Sequence, residues 1–436
     1  SSAAASTPDP ERAEKNLLSF MEGNPGLGDE LETQARNVAW LFSCSQFLAN
    51  FCTANPGVLF RALADMEQPL DRGVLSGRLD DELAVSDNVR AKTSGIHGRE
   101  LGRQMSAVRR CRLEGALKIA LRDILKKTDL VGVMHELSIL ADVIISRSLA
   151  FLRLAMNETY GDPADDAFSV IGLGKLGGEE LNFSSDVDLI YVYGTEAGET
   201  SGVLSQSGVT TNRISNHEYY CKLGEWLSRF LSLTTEAGFA YRVDLRLRPE
   251  GQRGDIALAL RGYEMYYESW GRAWERAMLI RARPVAGDEG LGRDFLQMIR
   301  PFVYRKYLDY SSIDEIRRLK TRIDSTFKKG DIKRGPGGIR EIEFFAQALQ
   351  LIYGGREPLL QERSVLKALH MLMQKSLVGQ EDYGLLSDNY RFFRTLEHRL
   401  QQLNDVQTHS VPSGQKEQEI LGRKMGFRDG ASFGRD

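Results

Sequence analysis

Apolar positions recur at three- and four-residue intervals through the first third of the chain. Leu101, Met105, Val108, Leu113, Leu117, Ile119, Leu121 and Leu125 follow this spacing, with Arg and Lys between, and predict a helix over 101–127. Residues 130–160 repeat the pattern, and shorter stretches at 32–51 and 57–64 are also apolar at helical spacing. The expectation is a helix bundle that packs against something else. His97 and His135 have no partners in sequence, which favours structural roles for both.

The period changes near Asp166. Residues 167–171 (Ala-Phe-Ser-Val-Ile) form a short β-like run ending in Gly172, and 187–193 (Val-Asp-Leu-Ile-Tyr-Val-Tyr) predict a second strand. Residues 194–212 are rich in Gly, Ser and Thr and read as a loop, and 214–233 return to helix. Residues 239–247 then alternate. Phe239, Tyr241, Val243, Leu245 and Leu247 share one face, and Ala240, Arg242, Asp244, Arg246 and Arg248 the other. A turn at 249–254 leads to a returning strand at 256–260. Beyond Arg261 the helical period resumes at 261–282, 291–304, 313–327, 339–353 and 390–403, broken by Gly335-Pro-Gly-Gly338. The expected class is α+β: a mostly helical chain with a small mixed sheet between helical regions. The expected parts are 1–160, 161–305 and 306–436.

Composition narrows the partners. The chain has 436 residues, 42% hydrophobic and 27% charged, and a net charge of −3. Such a balance fits a globular protein with ample core and excludes a whole-chain polyelectrolyte, so no nucleic-acid partner is expected. No apolar run approaches the length of a membrane span, and the first ten residues lack the layout of a secretory signal. Cys44, Cys52, Cys111 and Cys221 form no CxxC pair, which predicts reduced thiols and a cytoplasmic location.

Candidate chemistry concentrates in 172–190. Gly172-x-Gly174-x-x-Gly177 follows a strand, as in dinucleotide-binding turns. A dinucleotide fold, however, needs a full helix before its next strand, and here that strand begins nine residues after Gly178. A second reading accounts for more residues. Asp186 and Asp188 are two apart at a strand start, so alternation puts both carboxylates on one face, and Asp244 adds a third acid from another strand. Crowded carboxylates repel unless a cation sits between them, which predicts Asp186, Asp188 and Asp244 as ligands for two Mg²⁺ or Mn²⁺ ions. Gly174, Gly177 and Gly178 allow close approach of a phosphate, and Lys175, Ser184, Ser185, Arg246 and Arg248 supply charge, hydroxyls and amides to hold it.

These segments resemble the nucleotidyltransferase superfamily of the DNA polymerase β type. More closely, Gly172–Gly178, 181–190 and Tyr241-Arg-Val-Asp-Leu-Arg-Leu-Arg-Pro249 are similar to the glutamine synthetase adenylyltransferase/adenylyl-removing family. Trp274-Glu-Arg276 and Gly337-Gly-Ile-Arg-Glu-Ile-Glu-Phe-Phe345 add to the likeness. Members carry two nucleotidyltransferase domains, and Asn182-Phe-Ser-Ser-Asp186 with Tyr241-Arg-Val-Asp244 resembles the N-terminal, adenylyl-removing copy. Gly174-Lys175 stands where the wider superfamily has Gly-Ser, so phosphate contact is assigned to Lys175 and the loop amides.

The resemblance implies phosphorolysis of AMP-tyrosine on adenylylated glutamine synthetase, giving ADP, with Asp186, Asp188 and Asp244 as the catalytic acids and inorganic phosphate as co-substrate. It further implies a PII signal protein as partner of the full-length enzyme, a role in regulating nitrogen assimilation, and a chain that is about half of a two-site enzyme. Competing readings are a nucleotidyltransferase with another acceptor and a catalytically silent regulatory module. Trp274, Glu275 and Arg276 divide evenly between a structural ion pair and a substrate-side role. Glu341 and Glu343 are expected to support the fold. Arg317, Arg318, Lys320, Arg322, Lys328, Lys329, Lys333 and Arg334 read first as a solvated helix face.

Overall fold

The computed structural model describes all residues except 1, 84–98, 206–207, 308–309, 327, 329, 429 and 434–436. The readings that involve His97, Phe327 and Lys329 lie outside the described residues.

The helical periodicity of the first third is realised. Helices span Gly28–Cys44, Gln46–Ala54, Pro56–Ala64, Arg99–Ile124 and Leu130–Tyr160. The last begins where the Asp129 carboxylate accepts the Gly132 amide at 2.9 Å, and ends at Gly161, whose φ of +74° only glycine adopts readily. Its buried face carries Val133, Leu137, Leu140 and Ile144.

The sheet follows. Its main strands are β1 (Phe168–Gly172) and β2 (Val187–Tyr193). Two short strands, β3 (Val203–Leu204) and β4 (Thr210–Thr211), pair only with each other in the Gly-rich loop. Then come β5 (Val243–Asp244), β6 (Ala257–Ala259) and β7 (Arg283–Gly287). β1 is antiparallel to β2 and β7, while β5 and β6 both run parallel to β2, one beside its start and one beside its end. The sheet is mixed and the class is α+β.

Three expectations change here. The strand expected over 239–247 is reduced to β5, because the Asp244 carboxylate accepts the Arg246 amide at 2.8 Å and turns the chain out of the sheet. β6 does not return: it runs in the same direction as β5. The helix expected over 261–282 is two helices, Leu260–Ser269 and Ala273–Leu279, and the unforeseen β7 follows.

Every residue of β1 is buried, and β2 is buried apart from Asp188, because both faces of the sheet are covered. Val187, Leu189, Tyr191 and Tyr193 join a core that runs from Ala4 to Val285. Ile190 and Val192 join a second core with Tyr263, Phe295 and Phe344. Asp188 has the parity of that second face. Arg283 of β7 clamps the sheet to the long helix through Asp142 at 2.8 and 2.9 Å. A third core, around Ile339, Leu369, Leu372 and Leu396, belongs to the C-terminal helices Ile339–Tyr353, Val365–Gln374 and Gln380–Gln402. No helix among the described residues is long and apolar enough to cross a membrane.

Candidate active site

Asp188 and Asp244 are register partners on the parallel strands β2 and β5. Asp186 precedes β2, and its carboxylate accepts the Arg242 guanidinium at 2.6 Å. Asp244 is forked by Arg246 at 2.9 and 3.0 Å, and that hydrogen bonding holds its carboxyl below the usual range. Asp188 has no such partner among the described residues. Burial first, then the charges of Asp244 and Asp186, push it up to about 6, and Lys333 opposes the shift.

The glycine turn sits over this acid. Leu173 donates its amide to the Asp188 carbonyl at 2.9 Å, and the chain then makes a single helical turn, Gly174–Gly177. Gly174 has φ +53°, and a β-carbon there would lie 2.4 Å from Asp188 Oδ2. Gly177 is close-packed for a different reason: a β-carbon would meet the Arg281 carbonyl at 1.9 Å. At Gly178 the corresponding neighbour is the Arg363 carbonyl at 3.2 Å.

The remaining residues singled out from sequence divide. Arg246 lies exposed beside the acids. Lys175 turns to the C-terminal helix, where its Nζ donates to Glu397 Oε1 at 2.8 Å. Burial lowers this ammonium to about 8, against the pull of Glu397. Arg248 donates to the carbonyls of Leu245 and Gly254 at 2.9 and 3.1 Å, bracing its own turn. Ser184 is buried, its amide donating to Gln401 and its hydroxyl to the Asp405 carbonyl, both at 3.1 Å. Ser185 is half-buried beside Asp186.

No spacing in the chain signals how far the helix Gln380–Gln402 grips this loop. Glu180, buried, accepts from Ser364 Oγ, the Val365 amide and Tyr390 Oη at 2.8–3.0 Å. Arg394 donates to the Glu180 carbonyl at 2.6 Å and to Asn182. Glu397 is wholly buried. Burial would raise its carboxyl, but Lys175, His409 and Arg394 hold it well below the usual range. Arg112 forks Asp405 at 3.0 and 3.1 Å and reaches the Phe183 carbonyl. Arg242 was visible on the polar face of the alternation but carried no assigned role.

The other candidate motifs make contacts within the fold. Glu275 caps the helix Ala273–Leu279, accepting from the Arg272 amide at 2.8 Å and Tyr266 Oη at 2.9 Å, and Arg276 donates to the Val303 carbonyl at 3.1 Å. Glu341 accepts from Lys320 and the Gly337 amide, and Glu343 from Arg281. The four cysteines are free thiols, three of them buried.

No group of three or more His, Cys, Asp or Glu side chains converges as a ready metal site among the described residues. The three aspartates are of the right kind for a hard divalent cation, and the Asp188 carboxyl, raised by burial first and then by Asp244 and Asp186, is one whose charge such a cation would favour. In arrangement, Asp186 and Asp244 must first give up Arg242 and Arg246.

A glycine turn over paired strand carboxylates is an arrangement suited to nucleotidyl transfer, and comparison with known proteins agrees in class. The family model for glutamate-ammonia ligase adenylyltransferase matches residues 35–298, and that for GlnD PII-uridylyltransferase matches 311–434. The chain belongs to the glutamate-ammonia ligase adenylyltransferase family, a family of nucleotidyltransferases. Relatives named bifunctional glutamine synthetase adenylyltransferase/adenylyl-removing enzyme include one from Xanthomonas campestris pv. campestris, 42% identical over 73% of this chain and 34% of its own length. Those from Pseudomonas putida and Pseudomonas syringae pv. tomato are 38% and 37% identical over 90% and 92% of this chain, and 39% and 40% of their own lengths. The chain thus spans between a third and two fifths of these relatives.

Proposed function

We propose that the chain removes AMP from a tyrosine of adenylylated glutamine synthetase by phosphorolysis, releasing ADP. The observation that carries this reading is the register pairing of Asp188 with Asp244 beneath Gly174. The direction rests on the likeness of Asn182–Asp186 and Tyr241–Asp244 to the adenylyl-removing copy of the family.

Asp186, Asp188 and Asp244 would hold two Mg²⁺ or Mn²⁺ ions, which supply charge neutralisation at the transferred phosphoryl group. Gly174 leaves room over Asp188 for that group. Arg246, exposed and held by Asp244, can release to a phosphate oxygen when a cation takes over the carboxylate. Inorganic phosphate arrives as an anion, so no strong protein base is required.

The same reading makes the chain a cytoplasmic regulator of nitrogen assimilation. The match of 311–434 to a PII-uridylyltransferase model supports a PII signal protein as a partner. The division into 1–160, 161–305 and 306–436 is proposed with it, the first two parts sharing one core from Ala4 to Val285. The test is incubation with adenylylated glutamine synthetase, phosphate and Mg²⁺. ADP release is expected. Free AMP would indicate hydrolysis, and no release with metal binding intact would indicate a silent module.

A further inference from the structure

We propose that Glu397, on the C-terminal helix Gln380–Gln402, is a positioning residue for the transfer. By holding Lys175 it sets the glycine turn over Asp188, and Lys175 serves as the tether of that turn instead of the phosphate contact expected from sequence. The kinetic side of this inference rests on the phosphorolytic reading above; the anchoring of the turn does not.

The helix presents a buried polar stripe to the loop that runs from the turn to the acids. Arg394, Glu397, His398 and Gln401 recur at three- and four-residue spacing, and each is no more than 1% exposed. They meet the loop at successive points. Glu397 Oε1 accepts Lys175 Nζ at 2.8 Å. Arg394 donates to the Glu180 carbonyl at 2.6 Å and to Asn182 Oδ1, and His398 Nε2 lies 3.2 Å from that same oxygen. Gln401 Oε1 accepts the Ser184 amide at 3.1 Å, two residues before Asp186.

Of these contacts, the one to Lys175 lies inside the turn itself. Gly174–Gly177 is a single helical turn, too short to hold its own geometry. A β-carbon on Gly174 would lie 2.4 Å from Asp188 Oδ2, so the turn has little slack toward the acid. Arg283 of β7 holds the Leu176 carbonyl at 2.9 Å. The turn is therefore pinned from two directions, by a side chain at Lys175 and by its backbone at Leu176.

Glu397 is itself fixed before it receives Lys175. Its carboxylate meets Arg394 Nε at 3.1 Å and His409 Nδ1 at 3.0 Å. The Lys175 side chain is 13% exposed, whereas that of Arg246 is 68% exposed. Arg246 can change partners in water, but Lys175 could reach a phosphate only by breaking a buried ion pair, which is costly. A shift of about 1 Å in a group that shapes a reacting site can cost about a hundredfold in rate. Loosening the tether therefore acts on kcat and leaves phosphate binding in place.

The experiment compares the chain with Lys175→Met, Glu397→Gln and their double variant. Phe20→Leu serves as a control, because Phe20 packs on Phe42 and Phe60 in the N-terminal helices. Two quantities are read: amide hydrogen exchange by mass spectrometry, and the phosphate dependence of ADP release from adenylylated glutamine synthetase in Mg²⁺. In the turn, Gly177 donates its amide to the Leu173 carbonyl and Gly178 to the Gly174 carbonyl. Lys175→Met is expected to speed exchange there by about tenfold or more relative to the helix Leu130–Tyr160, a local difference that Phe20→Leu does not produce. It is expected to lower kcat by about tenfold to a hundredfold, with the KM for phosphate within about twofold of the parent. The double variant should be no slower than the worse single one, because both act through one bond. Lys175→Met leaves Glu397 with Arg394 and His409, so it decides the matter alone if Glu397→Gln does not fold.

Exchange that rises evenly along the chain would overturn the inference, as would an unchanged kcat in a folded Lys175→Met. A phosphate KM raised about tenfold in that variant would also overturn it and return Lys175 to the phosphate. If the parent releases no ADP while the turn responds as expected in exchange, the tether stands and the phosphorolytic reading fails.

Discussion

Asp188 and Asp244 face each other across two parallel strands, and only Asp244 has an arginine to itself. The imbalance leaves Asp188 as the strained acid, its carboxyl pushed up to about 6 by burial and by its two acidic neighbours. For an acid whose folded pKa exceeds its unfolded value, the native state binds more protons over the interval between them. Stability therefore falls as pH rises from about 4 to about 6 and stays reduced above that.

Asp188→Asn removes the buried charge and with it the repulsion from Asp244 and Asp186. In the absence of divalent metal at pH 7 it is expected to raise stability by about 1–3 kcal/mol, an advantage that disappears near pH 4. Urea denaturation at the two pH values measures this. The same variant is expected to lose activity by about a thousandfold or more, because the carboxylate is needed in the reaction.

Gly174→Ala places a methyl group 2.4 Å from Asp188 Oδ2 in a backbone conformation with φ +53°. The left-handed conformation alone costs about 1–2 kcal/mol. A lower melting temperature is expected, together with a loss of activity beyond what stability accounts for, read from initial rates well below the melting transition.

Glu180→Ala strips three hydrogen bonds from Ser364, Val365 and Tyr390 and leaves Arg281 with one acid fewer. Breaking a buried charged network of this kind costs about 3–5 kcal/mol. The expected result in chemical denaturation is an unfolding free energy lowered by that amount, seen as a lower midpoint at unchanged slope, although Glu180 touches no reacting group.

Divalent metal should act through the same acids. Mg²⁺ or Mn²⁺ is expected to raise the melting temperature of the chain and to give a calorimetric binding signal. The double variant Asp186→Ala, Asp188→Ala should lose both. Unchanged metal binding in that variant would sink the assignment of the ligands.

Much of the fold was legible because local rules decided it. The helix Leu130–Tyr160 matches its expected bounds, since Asp129 and Gly161 mark its ends as clearly as its apolar period marks its body. β7 was hidden by Pro284, which argues against a strand; it is tolerated because β7 is an edge strand with a register shift beside Ile171. β5 was overread because the Asx-type bond from Arg246 to Asp244 competes with the strand. At the site, Asp186, Asp188 and Asp244 stood out by alternation, which is a local property. The partners of Lys175 and Ser184 did not, because Glu397 and Gln401 lie more than two hundred positions away in sequence. Such pairings are set by how the C-terminal helices dock, and no spacing rule reaches them.

The central claim is tested most directly by the nucleotide released when the chain is incubated with adenylylated glutamine synthetase, inorganic phosphate and Mg²⁺. The account predicts ADP, in amounts matching the tyrosine restored, with release abolished by Asp188→Asn. Free AMP, or no nucleotide from a chain that still binds metal, would contradict it.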